Sequence, residues 1–295
     1  PELMKTAAKE LSEGIQANPA MGALAALGSA FLLNVANGIG CLATKNFSAG
    51  HFDDGDKISG ETMAGLMAQR ANSQPSHRCM VGCVVNCSQV YTDADGKFLT
   101  SGLEYETLGL LGSNCMINDI DALARLNALC EDVGLDTMEV GAALGVAMEA
   151  GKVTWGDAAT AEKLIAGAVA GDEMGRLLAD GALATGKALG VARIPVVKGQ
   201  GIAAWEPRFL TGTGVTYCTT PMGADHTNGN AIPTPSNPDY NPTVPEGQWQ
   251  LSQFLQAYNA AIDTLGFCLF PSLALLDAPQ LFDKLADAVE ALTGQ

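Results

Sequence analysis

Three cysteines, Cys79, Cys83 and Cys87, lie within nine residues of a 295-residue chain. Thiolates are the preferred ligands of zinc, copper(I) and iron–sulfur clusters, although free cysteine is also a common small core residue. A straight helix would align the three thiols on one face but spread them over about 12 Å, too far for one metal site. A shared metal or cluster therefore requires a loop or broken turn, which Gly82 favours. Inert buried thiols are the alternative.

The composition excludes several functional classes. Hydrophobic residues make up 47% of the chain and charged residues 16%, which allows a sizeable core. The net charge of −16 argues against nucleic acid and anionic membrane surfaces as partners, because both bind basic faces. Eight cysteines are too few for a disulfide scaffold, and no secretory pattern opens the chain, so we predict a cytoplasmic protein. Because Pro1 is not an initiator residue, we expect a fragment or a processed product.

The elements that position the cysteines are predicted to be mostly helices. Apolar spacing and capping residues predict helices over residues 3–16, 19–35, 59–70, 119–133, 136–148, 157–169, 173–189, 250–265 and from 277 or 279 to 292. Residues 20–44 lack charge, but their asparagines and glycines favour a buried helix over a membrane span. A hairpin is expected over residues 90–99, turning at Asp95-Gly96, and a proline-rich loop over residues 218–249.

These predictions indicate a mainly α, multihelical fold with two helical lobes and long irregular loops. Residues 1–193 form the first lobe, which carries the three close cysteines, and residues 194–295 form the second lobe. The proline-rich loop belongs to the second lobe, and a loop of that length inside a compact chain is usually functional or disordered. We see no Walker loop, nucleophile elbow or dinucleotide fingerprint, so nucleotide-dependent and serine-hydrolase functions have no support.

Several blocks between about residue 28 and residue 270 occur in an informative order. They are Thr44-Lys-Asn-Phe47, Lys57-Ile-Ser-Gly-Glu61, the three cysteines, Glu104-Tyr-Glu-Thr107, Gly134-Leu-Asp-Thr137, Val197-Lys-Gly-Gln200 with Glu206-Pro-Arg208, Asp225-His226, and Asp263-Thr-Leu-Gly-Phe-Cys268. This series resembles the C-terminal helical domains of the tungsten/molybdenum-pterin aldehyde:ferredoxin oxidoreductase family. The family's N-terminal pterin-binding domain has no counterpart here, so the chain looks like the helical part of a larger catalytic subunit.

The resemblance implies a set of iron ligands. Cys268, in the second lobe, would join Cys79, Cys83 and Cys87 as the fourth ligand of one [4Fe–4S] cluster. The first spacing here is Cys-x3-Cys, whereas the family usually has Cys-x2-Cys. The other four cysteines, at positions 41, 115, 130 and 218, are expected to be buried apolar thiols.

The resemblance also implies residues for the pterin and for proton transfer. Asp136 and Asp263 would contact the pterin, with a helix N-cap as the alternative role for each. Glu104 and His226 would be the acid/base pair near the metal. Glu106 is the competing glutamate; the alternatives are a structural ion pair for Glu104 and a satisfied loop histidine for His226.

The function implied by this resemblance is oxidation of an aldehyde to a carboxylate. A tungsten or molybdenum bis-pterin, shared with the missing N-terminal domain, would do the chemistry, and electrons would pass through the cluster to ferredoxin or another electron-transfer partner. Two alternatives stay open: a non-catalytic iron–sulfur electron-transfer or scaffold protein, and a structural zinc site at the same cysteines. We expect the isolated chain to be inactive; the sequence leaves open whether it forms a homo-oligomer.

Overall fold

Helices dominate the computed structural model, which describes residues 2–233 and 239–294, and the mainly α, multihelical prediction is confirmed. The α-helices are α1 (Glu2–Gln16), α2 (Pro19–Leu27), α3 (Leu32–Ile39), α4 (Gly60–Met67), α5 (Tyr105–Thr107), α6 (Ile120–Val133), α7 (Thr137–Glu149), α8 (Ala158–Ala170), α9 (Glu173–Ala179), α10 (Gly181–Leu189), α11 (Thr211–Thr219), α12 (Gln248–Thr264), α13 (Leu269–Asp277) and α14 (Leu281–Thr293). The short α5 passes directly into a π-helical turn, Leu108–Gly112.

Two small antiparallel sheets interrupt the helices. The first has strand order β1 (Gln74–His77), β2 (Ser88–Thr92), β3 (Phe98–Ser101), and the second pairs β4 (Val196–Val197) with β5 (Gln200–Gly201). The β2–β3 pair is the predicted hairpin, with Gly96 at φ 76° in its turn. Strand β1 was not predicted, because all four of its residues are exposed and show no apolar alternation.

The predicted helix over residues 19–35 is wrong in two respects. A 3₁₀ turn, Gly28–Phe31, separates α2 from α3, because Gly28 has φ 63° and a Cβ there would lie 1.6 Å from Nε2 of Gln89. The helical segment ends at Gly40, with φ 82°, and not at Gly38. By length and composition alone, Pro19–Ile39 could cross a membrane, but in the structure the side chains of its Leu24 and Leu33 are buried in protein cores.

The other predicted helices are present, with shifted limits that have local causes. The expected helix 173–189 divides into α9 and α10, where Asp180 precedes Gly181 at φ 90°. Helix α11 precedes the predicted 218–249 loop and ends at Thr219, just inside it, and α13 fills the gap before the last helix. Residues 234–238 of that loop, with Pro235 and Pro238, lie outside the described residues.

The buried apolar residues form two cores. The larger core gathers residues 30 to 224 and includes Tyr105, Leu123 and Tyr217. The second core joins α1 and α2 to α12, α13 and α14, and it also contains Val85 and Cys87 from the cysteine segment. The cores therefore do not divide at residue 193, and the assignment of domains 1–193 and 194–295 stays a prediction.

Candidate functional site

The cysteine segment is a loop of bends and turns, as a shared site requires. No helix or strand occurs between β1 and β2 in this described stretch, and the chain reverses at Gly82, with φ 85°, and at Asn86, with φ 58°. The Asn86 N–H donates to Sγ of Cys83 at 3.5 Å. Cys79 is exposed, Cys83 is half-buried, and Cys87, directly before β2, is buried. The three cysteines therefore lie on a turning loop and are not spaced along the axis of a helix.

Cys268 approaches these thiols from the start of α13. Burial raises the pKa of Cys87 to about 12, and Glu104, Cys268, Cys83 and Cys79 all raise it further. Partial burial likewise raises the pKa of Cys268, with contributions from Cys79 and Cys83, and the backbone amide of Phe270 opposes this rise. The structure thus brings all four predicted cysteines within electrostatic range of one another.

The donor set fits an iron–sulfur cluster better than it fits a single ion. Among the described residues, no group of three His, Cys, Asp or Glu side chains is arranged to hold a single metal ion. In a [4Fe–4S] cluster each thiolate binds a different iron, so the sulfur atoms stand farther apart. Burial and the neighbouring Glu104 both favour the neutral thiol of Cys87, so a bound cationic group would be needed to hold it as a thiolate ligand.

Glu104 lies on the cysteine side of the site and does not pair with His226. Its Oε2 accepts a hydrogen bond from the Ser29 hydroxyl, and the same hydroxyl accepts from the Tyr105 N–H at 2.9 Å. Burial raises the pKa of Glu104, and the Ser29 hydrogen bonds oppose that rise. The 3₁₀ turn between α2 and α3 therefore places Ser29 as the partner of Glu104, next to Cys87.

His226 instead pairs with Glu106, the competing glutamate. Nε2 of His226 lies 3.1 Å from Oε1 of Glu106, and both side chains are mostly buried. The Ala204 N–H donates to Oε2 of Glu106 at 2.6 Å. Burial raises the pKa of Glu106, and the His226 imidazole, the Ala204 amide and the Trp205 indole oppose the rise. Residues at i and i+2 at a helix start face different directions, which separates the two glutamates.

The Glu106–His226 pair has unused hydrogen-bonding capacity. Oε1 of Glu106 and Nδ1 of His226 are buried and have no hydrogen-bond partner within the described part of the chain, and the 3.1 Å approach of Oε1 to Nε2 does not have hydrogen-bond geometry. Buried polar atoms without a protein partner are rare in folded proteins, and a water, an ion, local strain or a catalytic role accounts for those that occur. The pair therefore has the properties of a binding or acid/base site.

The two predicted pterin contacts occupy different local positions. Asp136 is the N-cap of α7, accepting from the amides of Met138 and Glu139, and its charge also raises the pKa of Glu106. Asp263 is exposed in the last turn of α12, so it is not an N-cap, and it precedes Cys268 by five residues. Nothing in these positions tests pterin contact, and both assignments stay predictions.

The four cysteines outside the predicted ligand set differ in burial. Cys41, Cys115 and Cys130 are buried as expected, but Cys218 is exposed, because the Thr211–Thr219 helix turns that residue outward. Ser29 and Ala204, which hold the two glutamates, were not predicted. They lie 75 and 98 residues from their partners, so no local spacing identifies them.

Cysteine thiols are the usual ligands of iron–sulfur clusters, and this helical fold brings four of them, from two distant segments, within electrostatic range of one another. The family described as "Aldehyde ferredoxin oxidoreductase, domains 2 & 3" matches residues 6–295. The chain belongs to the aldehyde ferredoxin oxidoreductase family.

Curated relatives give the same result. A tungsten-containing aldehyde ferredoxin oxidoreductase of Thermococcus kodakarensis is 30% identical over 274 residues, covering 86% of this chain and 44% of the relative. Its counterpart in Pyrococcus furiosus is 28% identical over 276 residues, with the same two coverages. An aliphatic sulfonate oxidoreductase, WOR-like subunit, of P. furiosus is 27% identical over 176 residues, or 52% of this chain and 28% of the relative. The chain spans less than half the length of these relatives.

Proposed function

We propose that this chain is the helical part of an oxidoreductase that converts an aldehyde into a carboxylate. The observation that carries the proposal is the approach of four cysteines from two distant segments, in a chain of this family that also contains the mostly buried Glu106–His226 pair. Electrons would leave through the cluster to ferredoxin or another electron-transfer protein. A reducing cytoplasm suits this proposal, since all eight cysteines are free.

The chain's own residues suit the two cofactors that the family implies. Cys79, Cys83, Cys87 and Cys268 would hold a [4Fe–4S] cluster. Asp136 and Asp263 would accept hydrogen bonds from the pterin of a tungsten or molybdenum bis-pterin, which an N-terminal domain would help to bind. When bound, that cofactor would supply the oxygen-transfer and electron-accepting chemistry.

Proton handling is assigned to Glu106 and His226, in place of the predicted pair Glu104 and His226. Burial raises the pKa of Glu106, which makes its carboxylate a stronger base, and the Ala204 amide fixes one of its oxygens. Glu106 would take a proton from the water or hydrated aldehyde. The nearby imidazole of His226 would stabilise the resulting charge distribution.

The first experiment measures metal content. Anaerobic reconstitution of the chain with iron and sulfide should give a brown protein with about four irons per chain. Protein that takes up zinc, with neither iron nor sulfide, would support the structural zinc alternative instead.

The second experiment measures activity. The chain produced together with an N-terminal pterin domain should reduce a viologen dye when an aldehyde is added, whereas the chain alone should not. A cluster-containing complex without aldehyde oxidation would support the scaffold alternative. Turnover by the isolated chain without pterin would contradict the mechanism.

A further inference from the structure

Gln89, two residues after the predicted iron ligand Cys87, is a polar side chain at an inward-facing position of β2. It is 1% exposed, and Tyr91, the next residue on the same face of the strand, is fully buried in the larger core. Strand positions that face a core are normally occupied by apolar side chains. Burying the amide of Gln89 therefore costs free energy that an apolar residue would not, and its contacts give the reason for it.

One end of this amide contacts the cysteine ligand and the other end has no partner. Nε2 of Gln89 donates to the Cys87 carbonyl at 3.1 Å. Oε1 of Gln89 is buried and has no hydrogen-bond partner among the described residues. An unpartnered buried acceptor costs about 1–3 kcal/mol, whereas one hydrogen bond contributes about 0.5–1.5 kcal/mol. The side chain thus adds no net stability to the fold, and its role lies in what it does to Cys87.

Gly28 provides the space in which the Gln89 amide lies. A Cβ on residue 28 would lie 1.6 Å from Nε2 of Gln89 and 2.9 Å from the Cys87 carbonyl oxygen. Gly28 also has a φ angle of 63°, which residues with a Cβ rarely adopt. The backbone of the 3₁₀ turn Gly28–Phe31 therefore packs directly on the amide and on the carbonyl that the amide binds.

Cys87 is the predicted ligand that these contacts hold in place. It is buried, whereas Cys79 and Cys268 are exposed and Cys83 is half-buried. A backbone bridge to His77 of β1 restrains it further. Residues that hydrogen-bond around a metal ligand fix its orientation, and their loss typically lowers metal affinity by about 10- to 100-fold. Cys87 therefore has a fixed backbone in the structure, to which the more exposed cysteines can be added.

We propose that Gln89 is a positioning residue for the iron–sulfur cluster: its amide, packed on Gly28, fixes the Cys87 peptide and with it the orientation of the thiolate. The inference rests on the proposed function for the presence of the cluster. The N–H of the amide also places partial positive charge next to the ligand's carbonyl. Because the reduced cluster carries more negative charge than the oxidised one, this dipole favours reduction.

The first test replaces Gln89 by leucine in the chain reconstituted anaerobically with iron and sulfide. Gln89→Leu removes the donor and the unpartnered acceptor together, so the unfolding equilibrium constant of the metal-free chain should change less than about threefold. Iron release to a chelator should nevertheless become roughly 10- to 100-fold faster, and the midpoint potential of the cluster should fall. Gln69→Leu is the matched control, because the exposed Gln69 also donates to a backbone carbonyl, that of Gly65. This control should leave iron release and the midpoint potential unchanged.

A double-mutant cycle tests whether Gly28 acts through Gln89. Gly28→Ala should push the amide away from Cys87 and speed iron release, whereas Gly22→Ala, whose new Cβ would meet no atom within 4 Å, should not. In a chain that already carries Gln89→Ala, the amide that would clash is absent. Adding Gly28→Ala to that chain should therefore change iron release less than it does in the wild-type chain.

The outcomes separate this inference from the proposed function. A Gln89→Leu chain with the iron release and the midpoint potential of the wild type would overturn the inference and leave the proposed function standing. Faster iron release with a matching loss of stability in the metal-free chain would make Gln89 a structural residue and would also overturn the inference. A wild-type chain that takes up no iron would contradict both.

Discussion

Glu104 and Glu106 are two residues apart but have unlike surroundings. Ser29 hydrogen-bonds to Glu104 close to Cys87, whereas Ala204 and His226 meet Glu106. Both carboxyl groups have a pKa raised by burial. Of these two glutamates, Glu106 is the one with an imidazole beside it, and for this reason we propose it for proton transfer.

Glu106→Gln should lower aldehyde turnover of the complete enzyme by roughly 10²–10⁴ without changing its iron content, because the base is lost. Since burial raises the pKa of Glu106, wild-type turnover should fall as the pH drops through that raised value, where the base becomes protonated. The measurement is a pH–rate profile. Glu104→Gln is the matched control and should retain most of the turnover. If Glu104→Gln instead lost more turnover than Glu106→Gln, Glu104 would be the base, as the sequence resemblance implied.

Glu104→Gln should instead alter the pH dependence of stability. Burial raises the folded-state pKa of Glu104 above 4.5, so folding favours its protonated form. Wild-type stability should therefore decline as the pH rises from that ordinary value through the raised one, and the glutamine variant should lack this part of the decline. Urea unfolding across this pH range measures it, with the exposed Glu13→Gln as control. Parallel curves for wild type and Glu104→Gln would contradict the burial argument.

Cys268→Ser should reduce iron bound after anaerobic reconstitution and perturb the cluster's redox behaviour, because one of four thiolates is lost. Helical content should be retained, since the Cys268 side chain does not cap α13. Cys218→Ser is the control, because Cys218 is also exposed but lies in α11. Equal iron content in the two variants, measured by colorimetric assay, would remove Cys268 from the ligand set.

At the scale of elements, capping residues predicted where most helices begin and end, but the sequence did not predict where a helix is interrupted. Asp119 and Gly134 cap α6 as expected, because N-cap and left-handed C-cap preferences are local. The break at Gly28 was missed, since it depends on Gln89, which is distant in sequence. Helix α11 was missed because its Gly- and Thr-rich sequence has low helix propensity and tertiary packing overrides it.

The π-helical turn that follows α5 helps to position Glu106. Gly109 in this turn packs against Ala204, whose amide holds Oε2 of Glu106, and a Cβ on Gly109 would lie 2.5 Å from the Ala204 Cβ. Turns of this kind are frequent at functional sites. Backbone contact between two segments, not side-chain chemistry alone, keeps this carboxylate in place.

Gly109→Ala should cost about 1–3 kcal/mol of unfolding free energy and also lower turnover, because relieving the overlap displaces Ala204 from Glu106. Gly38→Ala is the matched control. Gly38 lies in α3 with no atom within 4 Å of a new Cβ, so this change should stabilise the chain by about 0.4–1 kcal/mol. Chemical denaturation and dye reduction test both variants; a neutral Gly109→Ala would show that the turn is not constrained by Ala204.

At the scale of the molecule, the second core connects the two ends of the chain to the cysteine loop. Leu281 of α14 packs against Gly14 of α1, in the same core as Val85 and Cys87. No sequence pattern indicated this connection, because α1 and α14 lie at opposite ends of the sequence and the cysteine loop is far from both. The order of the family blocks implied that Cys268 joins the other three cysteines. The helix packing that brings these segments together could not be predicted from the sequence.

Leu281→Ala should destabilise the chain by about 2–5 kcal/mol, because it opens a cavity between α1 and α14. It should also lower iron retention, although no ligand is changed, since Cys87 shares this core. Leu292→Ala, at a residue that is 73% exposed, should change stability by less than about 0.5 kcal/mol. Thermal unfolding and iron loss to a chelator measure both effects. Unchanged iron retention in a destabilised Leu281→Ala protein would show that the packing of the second core does not influence iron binding.

The pairing of α1 with α14 has a topological consequence. Gly14 of α1 packs against Leu281 of α14, and Oε2 of Glu10 lies 3.1 Å from Nζ of Lys284. The two helices therefore run antiparallel, and the beginning of α1 lies beside the end of α14. A chain whose ends are neighbours can be closed into a ring by a short linker and reopened at a surface loop. The packing of the helices therefore does not depend on where the chain is cut. Circular permutants, in which the segments are joined in a different order, should keep both cores.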